Sequence, residues 1–204
     1  MRKARSAVRR VTGLVGILPS VMATFVFRTH TNRWHQVAHA GRPPWDERNQ
    51  VIGNLIEAGS TVLDIGSGAQ TLRGYLPQNC TYQPCDVIKS TPDVIFCDFN
   101  AGTYPEPGKY FDYVVCSGVF EYIRKPAEFL NRVPRLGRTV LFSYNPYLPG
   151  SSKIQRLGNN WVNHFTQEEL QVLFQQAGLV WEILQTKNNK FLIYSLNVAE
   201  TKKP

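Results

Sequence analysis

A short apolar run that ends in an acid and two closely spaced glycines, Val62-Leu63-Asp64-Ile65-Gly66-Ser67-Gly68-Ala69-Gln70, constrains the fold more than any other stretch of the chain. Its length and composition predict a buried strand. Glycine carries no Cβ, so residues 66 and 68 let the backbone take positive φ and approach a ligand closely. The same pattern predicts a helix from about Ala69, with its first N–H groups directed at that ligand.

The surrounding elements decide what kind of sheet this strand enters. Asp46 is placed to cap a helix through about Ala58, closed by Gly59. Strands are expected at Thr61–Ile65, Thr81–Cys85, Asp93–Cys97, Phe111–Cys116 and Thr139–Tyr144. Short helices are expected through Leu72 and Leu76 and over Pro126–Val133. Thr166 and Glu169 form a capping-box pair before an apolar face of Leu170, Leu173, Phe174 and Ala177 that stops at Gly178. Leu179–Gln185 and Phe191–Val198 complete the set as a hairpin. Strands that are apolar throughout, separated by crossovers, belong to a parallel sheet covered on both faces. The expected fold is therefore α/β and doubly wound, with a mostly parallel seven-stranded sheet and a C-terminal antiparallel hairpin.

Charge divides the chain into two regions. Of its net charge of +8, residues 1–48 hold +7 and residues 49–204 only +1, so the body is nearly neutral. Residues 1–44 read as a basic and apolar extension bounded by Pro43-Pro44, and residues 45–204 as the folded domain. Arg2, Lys3, Arg5, Arg9 and Arg10 precede the apolar run Val11–Phe27, and Arg28-Thr29-His30 comes next with no convincing cleavage pattern. Seventeen residues interrupted by Pro19 fall short of a span of ~30 Å. Two readings remain: residues 1–28 lie on an anionic membrane surface, or the extension closes over the active site. Cys80, Cys85, Cys97 and Cys116 lack metal-ligand or C-x-x-C spacing and are read as reduced thiols of a cytoplasmic protein. His30, His35 and His39 have no acid or cysteine at ligand spacing, so no metal is expected.

In an open parallel sheet the ligand sits outside the carboxyl ends of the strands. Those ends carry Asp64, Asp86, Asp98 and then Ser117-Gly118. Asp86 falls twenty residues after Gly66, the usual distance for a carboxylate that accepts ribose hydroxyls. Val62–Gly68, Asp86, Asp98-Phe99 and the stretch Phe111–Ile123 together resemble the class I S-adenosylmethionine-dependent methyltransferases, a likeness running from about Trp45 to Val198. The resemblance implies S-adenosylmethionine as cofactor. It implies that Asp64, Gly66, Ser67 and Gly68 frame the methionine end, Asp86 holds the ribose, Asp98 and Phe99 flank the adenine, and Cys116 and Ser117 line the floor near the methyl. Two departures stand out. Gln70 occupies the place of the family's third glycine, and Tyr122 follows Glu121 where a histidine is common. A nicotinamide-dependent dehydrogenase would instead want that third glycine and no acid-aromatic pair after the third strand.

The segments after the fourth and fifth strands bear on the acceptor. Ser117-Gly118-Val119-Phe120 replaces the Asn/Asp-Pro-Pro-aromatic motif that nucleobase amino-methylating enzymes share. Pro84-Cys85, which resembles the nucleophile pair of cytosine C5 methylation, lies at the wrong strand end. With the neutral body, these features disfavour nucleic acid and point to O-methylation of a small molecule, sugar or lipid-linked glycan. His164, in the loop expected from Tyr144 to Thr166, is the candidate general base, because imidazole titrates near neutral pH, and Tyr122 is the second candidate catalytic group. RNA methylation through the basic arm, or a cofactor-binding scaffold without turnover, are the alternatives.

Overall fold

The computed structural model describes Met22, Trp34, His35, Ala38 and residues 46–106, 108–187 and 191–199. The expectations for the apolar run and the Pro43-Pro44 boundary, and for His30 and His39, fall outside the described residues, Met22 apart.

Seven strands form one sheet: β1 (Thr61–Ile65), β2 (Thr81–Asp86), β3 (Ile95–Phe96), β4 (Phe111–Ser117), β5 (Gly137–Tyr144), β6 (Leu179–Lys187) and β7 (Phe191–Val198). Their order is β3-β2-β1-β4-β5-β7-β6. The first five pair in parallel, and β7 lies antiparallel between β5 and β6. The α-helices of the folded body are α1 (Asp46–Gly53), α2 (Pro126–Arg132), α3 (Lys153–Gly158) and α4 (Gln167–Gln176). The α/β, doubly wound architecture with its closing antiparallel pair is the one the sequence pattern implies.

Successive strand residues point to opposite faces, so the apolar strands feed two cores. Leu63, Ile65, Val114, Cys116 and Phe142 pack with Phe129 of α2 and Leu170 and Phe174 of α4. Val62, Val115, Leu141 and Ile193 pack on the other face with Ile52 of α1 and Leu72. Phe120 anchors the larger core, with ring centroids 5.1 Å from Phe142, 5.7 Å from Phe129 and 5.9 Å from Tyr144. The capping box at α4 is complete: Thr166 Oγ1 accepts from the Glu169 amide at 3.2 Å, and Glu169 Oε2 accepts from the Thr166 amide at 2.8 Å.

Four local expectations are corrected. No α-helix begins at Ala69. Gln70 instead takes the left-handed conformation (φ 56°, ψ 30°) and leads into a 3-10 helix, Thr71–Tyr75, that Pro77 leaves no room to extend. The first helix ends at Gly53 rather than near Ala58, although Gly59 (φ +78°) still makes the turn into β1. The segment before Thr166, expected as a loop, contains α3, capped by Ser152 Oγ accepting from the Gln155 amide at 3.3 Å. Finally, Cys85 and Cys97 are disulfide-bonded, with Cα atoms 6.1 Å apart, and only Cys80 and Cys116 are free. Twelve residues of separation hide this pair in the sequence; the parallel pairing that sets Cys85 opposite Ile95 brings the two together.

Gly53 shows how closely α1 approaches the segment after the glycine turn. A Cβ there would lie 2.5 Å from the Tyr75 carbonyl oxygen and 2.8 Å from Tyr75 Cβ. Backbone on one side leaves nothing flexible to yield, so Gly53→Ala should destabilise the fold by about 1–3 kcal/mol in chemical denaturation; an unchanged midpoint would show that α1 can shift freely.

Candidate active site

Strand order reverses at β1, whose neighbours β2 and β4 lead away in opposite directions, and the crevice of such a sheet opens at the carboxyl ends flanking that point. Ile65 is in register with Cys85 on one side and Cys116 on the other. One edge thus collects the turn after β1, the acid ending β2 and the turn after β4. Gly66 (φ +70°) and Gly68 (φ +50°) take conformations that L side chains rarely adopt, and a Cβ on Gly66 would lie 2.7 Å from Val119 Cγ2. Gly66 and Ser67 amides donate to the Cys85 carbonyl at 2.8 and 3.1 Å, and the Gly68 amide donates to Asp86 Oδ2 at 2.8 Å.

Two buried carboxylates face this turn. Asp64, 3% exposed, accepts the Tyr82 hydroxyl at 2.6 Å. Burial pushes its pKa up to about 7, the Tyr82 bond opposes that rise, and the nearby Asp86 charge adds to it. Burial also raises Asp86, against the amides of Ile88, Gly68 and Val87 that favour its charged form. Asp86 Oδ1 accepts the Ile88 amide at 2.9 Å and Oδ2 the Gly68 amide, which leaves lone pairs for hydroxyl donors.

The other expected residues divide between the edge and the interior. Asp98 Oδ1 accepts the amides of Asn100 and Ala101 at 3.1 and 3.0 Å, which shapes the turn after β3. Phe99 is buried, with its ring 5.3 Å from both Tyr104 and Phe129, and the Cys116 thiol is fully enclosed. These two side chains therefore sit beneath the edge rather than on it. Ser117 stays at the edge: its Oγ accepts from Arg48 Nε at 3.0 Å and donates to Asn49 Oδ1 at 2.5 Å, while Asn49 Nδ2 donates to Thr71 Oγ1 at 2.7 Å. Arg48 and Asn49 were not legible in the sequence, where Asp46-Glu47-Arg48-Asn49 reads as an exposed first turn.

A second buried polar group extends from the turn after β4. Glu121 Oε1 accepts the Asn145 amide at 3.0 Å and Asn145 Nδ2 at 2.7 Å. Arg156 of α3, also unforeseen, donates to the carbonyls of Asn145 (3.0 Å), Asn163 (3.1 Å) and Pro146 (3.3 Å), and its Nε reaches His164 Nδ1 at 3.2 Å. A neutral His164 that accepts at Nδ1 carries its proton on Nε2. Burial first, then the charges of Arg156 and Lys153, lower its pKa below the ordinary value. Tyr122 lies between two indoles. Trp34 meets its ring edge-on at 4.5 Å, and the Trp161 N–H donates to its hydroxyl at 3.1 Å. Groups of histidine, cysteine and acid able to hold a metal are absent among the described residues.

A seven-stranded sheet of this order, with a glycine turn and an acid at the ends of β1 and β2, defines a Rossmann-like methyltransferase. Residues 33–182 match the family model described as a methyltransferase domain, and the chain belongs to that family. Similar solved structures include an S-adenosylmethionine-dependent methyltransferase from Aquifex aeolicus, with TM-score 0.59 and 14% identity over 83% of this chain and 100% of that one. The 1,6-didemethyltoxoflavin N1-methyltransferase of Burkholderia thailandensis, solved with that compound and S-adenosylhomocysteine, gives TM-score 0.56 and 16% identity over 94% and 90%. A Nostoc punctiforme protein assigned as an O-methyltransferase gives 0.59 and 17% over 80% and 60%. No curated protein matches the chain. The chain carries a methyltransferase domain, and the Burkholderia enzyme, like the N-terminal domain of EvdMO1, was solved with S-adenosylhomocysteine, the product form of the cofactor S-adenosylmethionine.

The edge fits that cofactor on its own evidence. Ser67 Oγ is buried with no hydrogen-bond partner among the described residues, the positive-φ glycines leave no Cβ in the way, and Asp64 and Asp86 are buried acceptors beside them. The raised Asp64 pKa carries a stability consequence. Its folded value, about 7, exceeds the unfolded value of about 4, so its contribution to stability is present below pH ~4 and lost as pH rises through ~7. Asp64→Asn should therefore gain stability over the parent chain progressively from about pH 4 to 7, with a roughly constant difference at higher pH; a difference independent of pH would contradict the burial of this charge.

Proposed function

We propose that the protein methylates a hydroxyl of a small molecule, sugar or lipid-linked glycan. The observation that carries this reading is that Trp34 and Trp161 both meet Tyr122 after β4, while Arg156 links them to His164, its guanidinium 4.6 Å from the Trp161 ring and its Nε on His164 Nδ1. Aromatic faces with a few fixed polar groups suit a ring-shaped acceptor. The bound cofactor supplies a methyl group on a sulfonium, and the chain's own part is to align the hydroxyl and handle its proton. The small-molecule acceptor of the Burkholderia enzyme and the O-methyltransferase assignment of the Nostoc protein support a compact acceptor. The near-neutral charge of residues 49–204 favours it over RNA.

Within this reading Asp64, Gly66, Ser67 and Gly68 hold the methionine end of the cofactor and Asp86 the ribose. Asp98 and Phe99 shape the adenine side, and Cys116 supports Ser117 from below. Trp34 belongs to the N-terminal extension and touches the loop after β4, which supports the covering role of that extension over attachment to an anionic membrane. Among the described residues no helix is long and apolar enough to cross a membrane. We place the protein in the cytoplasm because a secreted chain would leave its cofactor behind.

His164 acts on the acceptor in one of two ways. It takes the hydroxyl proton at Nδ1 when Arg156 releases that nitrogen, or it orients the acceptor by donating from Nε2. His164→Ala should lower turnover roughly tenfold or more at unchanged S-adenosylhomocysteine affinity. His164→Gln, which keeps a donor, recovers rate only in the orienting role. Full activity of the alanine variant would remove His164 from the reaction.

A further inference from the structure

Among the described residues, only the Ala69 amide and the Ser67 hydroxyl of the turn 66–70 are left to meet an anion. The amides of Gly66, Ser67, Gly68 and Gln70 all donate within the protein, to the Cys85 carbonyl, Asp86 and the Ser67 carbonyl. The chain beyond is a five-residue 3-10 helix entered through a left-handed Gln70. A methionine α-carboxylate brought to this edge therefore needs its positive partner from elsewhere.

Arg48 is the cation at hand. It is 8% exposed, and of its five N–H groups Nε donates to Ser117 Oγ at 3.0 Å and Nη2 to the Ser117 carbonyl at 3.2 Å. Among the described residues Nη1 has no hydrogen-bond partner and Arg48 no ion-pair partner. Burial pulls its pKa down, while the charge of Glu121 opposes this from beyond ion-pair distance. An enclosed guanidinium without an anion is costly unless something else completes it. Its position is fixed as well. A Cβ on Gly118 (φ +69°) would lie 2.3 Å from Nη2 and 2.5 Å from Nη1, so the guanidinium rests directly on that glycine. Neighbouring Asn49 ties α1 to Ser117 on one side and to Thr71, just after the glycine turn, on the other.

We propose that Arg48 binds the α-carboxylate of the cofactor's methionine moiety, taking the place of the turn amides and of the absent helix N-terminus. The proposal rests on S-adenosylmethionine being the cofactor, and it assigns this edge a carboxylate partner from α1. A planar guanidinium with free N–H groups suits a carboxylate better than a lysine ammonium would. Gly118 is then required because any side chain there would displace the guanidinium from the edge.

Calorimetric titration of the full chain tests this without turnover. Two ligands are compared: S-adenosylhomocysteine, and 5′-methylthioadenosine, which keeps the adenosine and lacks the amino acid. Arg48→Met should weaken S-adenosylhomocysteine roughly tenfold or more and leave methylthioadenosine within about twofold, with Arg48→Lys intermediate. Equal losses for both ligands would mean that Arg48 only supports the fold, and unchanged S-adenosylhomocysteine affinity would mean that the carboxylate is held elsewhere; either overturns the proposal. Should the variants not fold, the unaltered chain still decides. The decarboxylated analogue of S-adenosylhomocysteine, which keeps the amine, should bind it roughly tenfold or more weakly, and equal affinity refutes a carboxylate contact. An unaltered chain that binds none of the three ligands would refute the cofactor assignment itself, a result distinct from failure at Arg48.

Discussion

Three hydrogen bonds tie the turn after β1 to the end of β2, two into the Cys85 carbonyl and one into Asp86 Oδ2, and the candidate site depends on them. They force Gly66 and Gly68 into positive φ and hold the turn beside the acid of the next strand. They also press Gly66 against Val119, so that the turns after β1 and β4 meet. Remove this junction and Asp64, Asp86 and Ser117 would still end their strands, but nothing would keep the crevice between them at a fixed width.

The network carries a cost that the apolar core offsets. Asp64, Asp86, Arg48, Glu121 and Arg156 are all buried at or beside one edge of the sheet. Burying ionisable groups is unfavourable unless each is paired or hydrogen-bonded, and some polar groups here are only partly satisfied: Glu121 Oε2 and Ser67 Oγ have no partner among the described residues. Ser67 and Glu121 lie in the turns after β1 and β4, above two cores packed from aliphatic and aromatic side chains.

The sheet was legible because its signals are local. Apolar runs, the glycines at 66 and 68 and the Thr166–Glu169 capping box each specify one element, and parallel crossovers leave few ways to assemble them. The acids at 64 and 86 were legible because the strand ends locate them. Arg48, Asn49 and Arg156 were not, since a buried arginine on a short helix has the same sequence as an exposed one until tertiary packing encloses it. Ala69–Tyr75 misled for a related reason. The helical expectation rested on the two glycines and on Leu72 and Leu76, yet Gln70 takes the left-handed conformation and the segment ends at Pro77, which favours a tight 3-10 turn. Cys85 and Cys97 became neighbours only through strand pairing.

Everything proposed for this protein requires the edge formed by the ends of β1, β2 and β4 to be the cofactor site. A crystal structure of the full chain with S-adenosylhomocysteine tests that requirement most directly. Ribose hydroxyls are expected on Asp86 and the amino-acid portion against the Gly66–Gly68 turn; a ligand whose ribose rests on another acid, or whose homocysteine lies away from that turn, would contradict it.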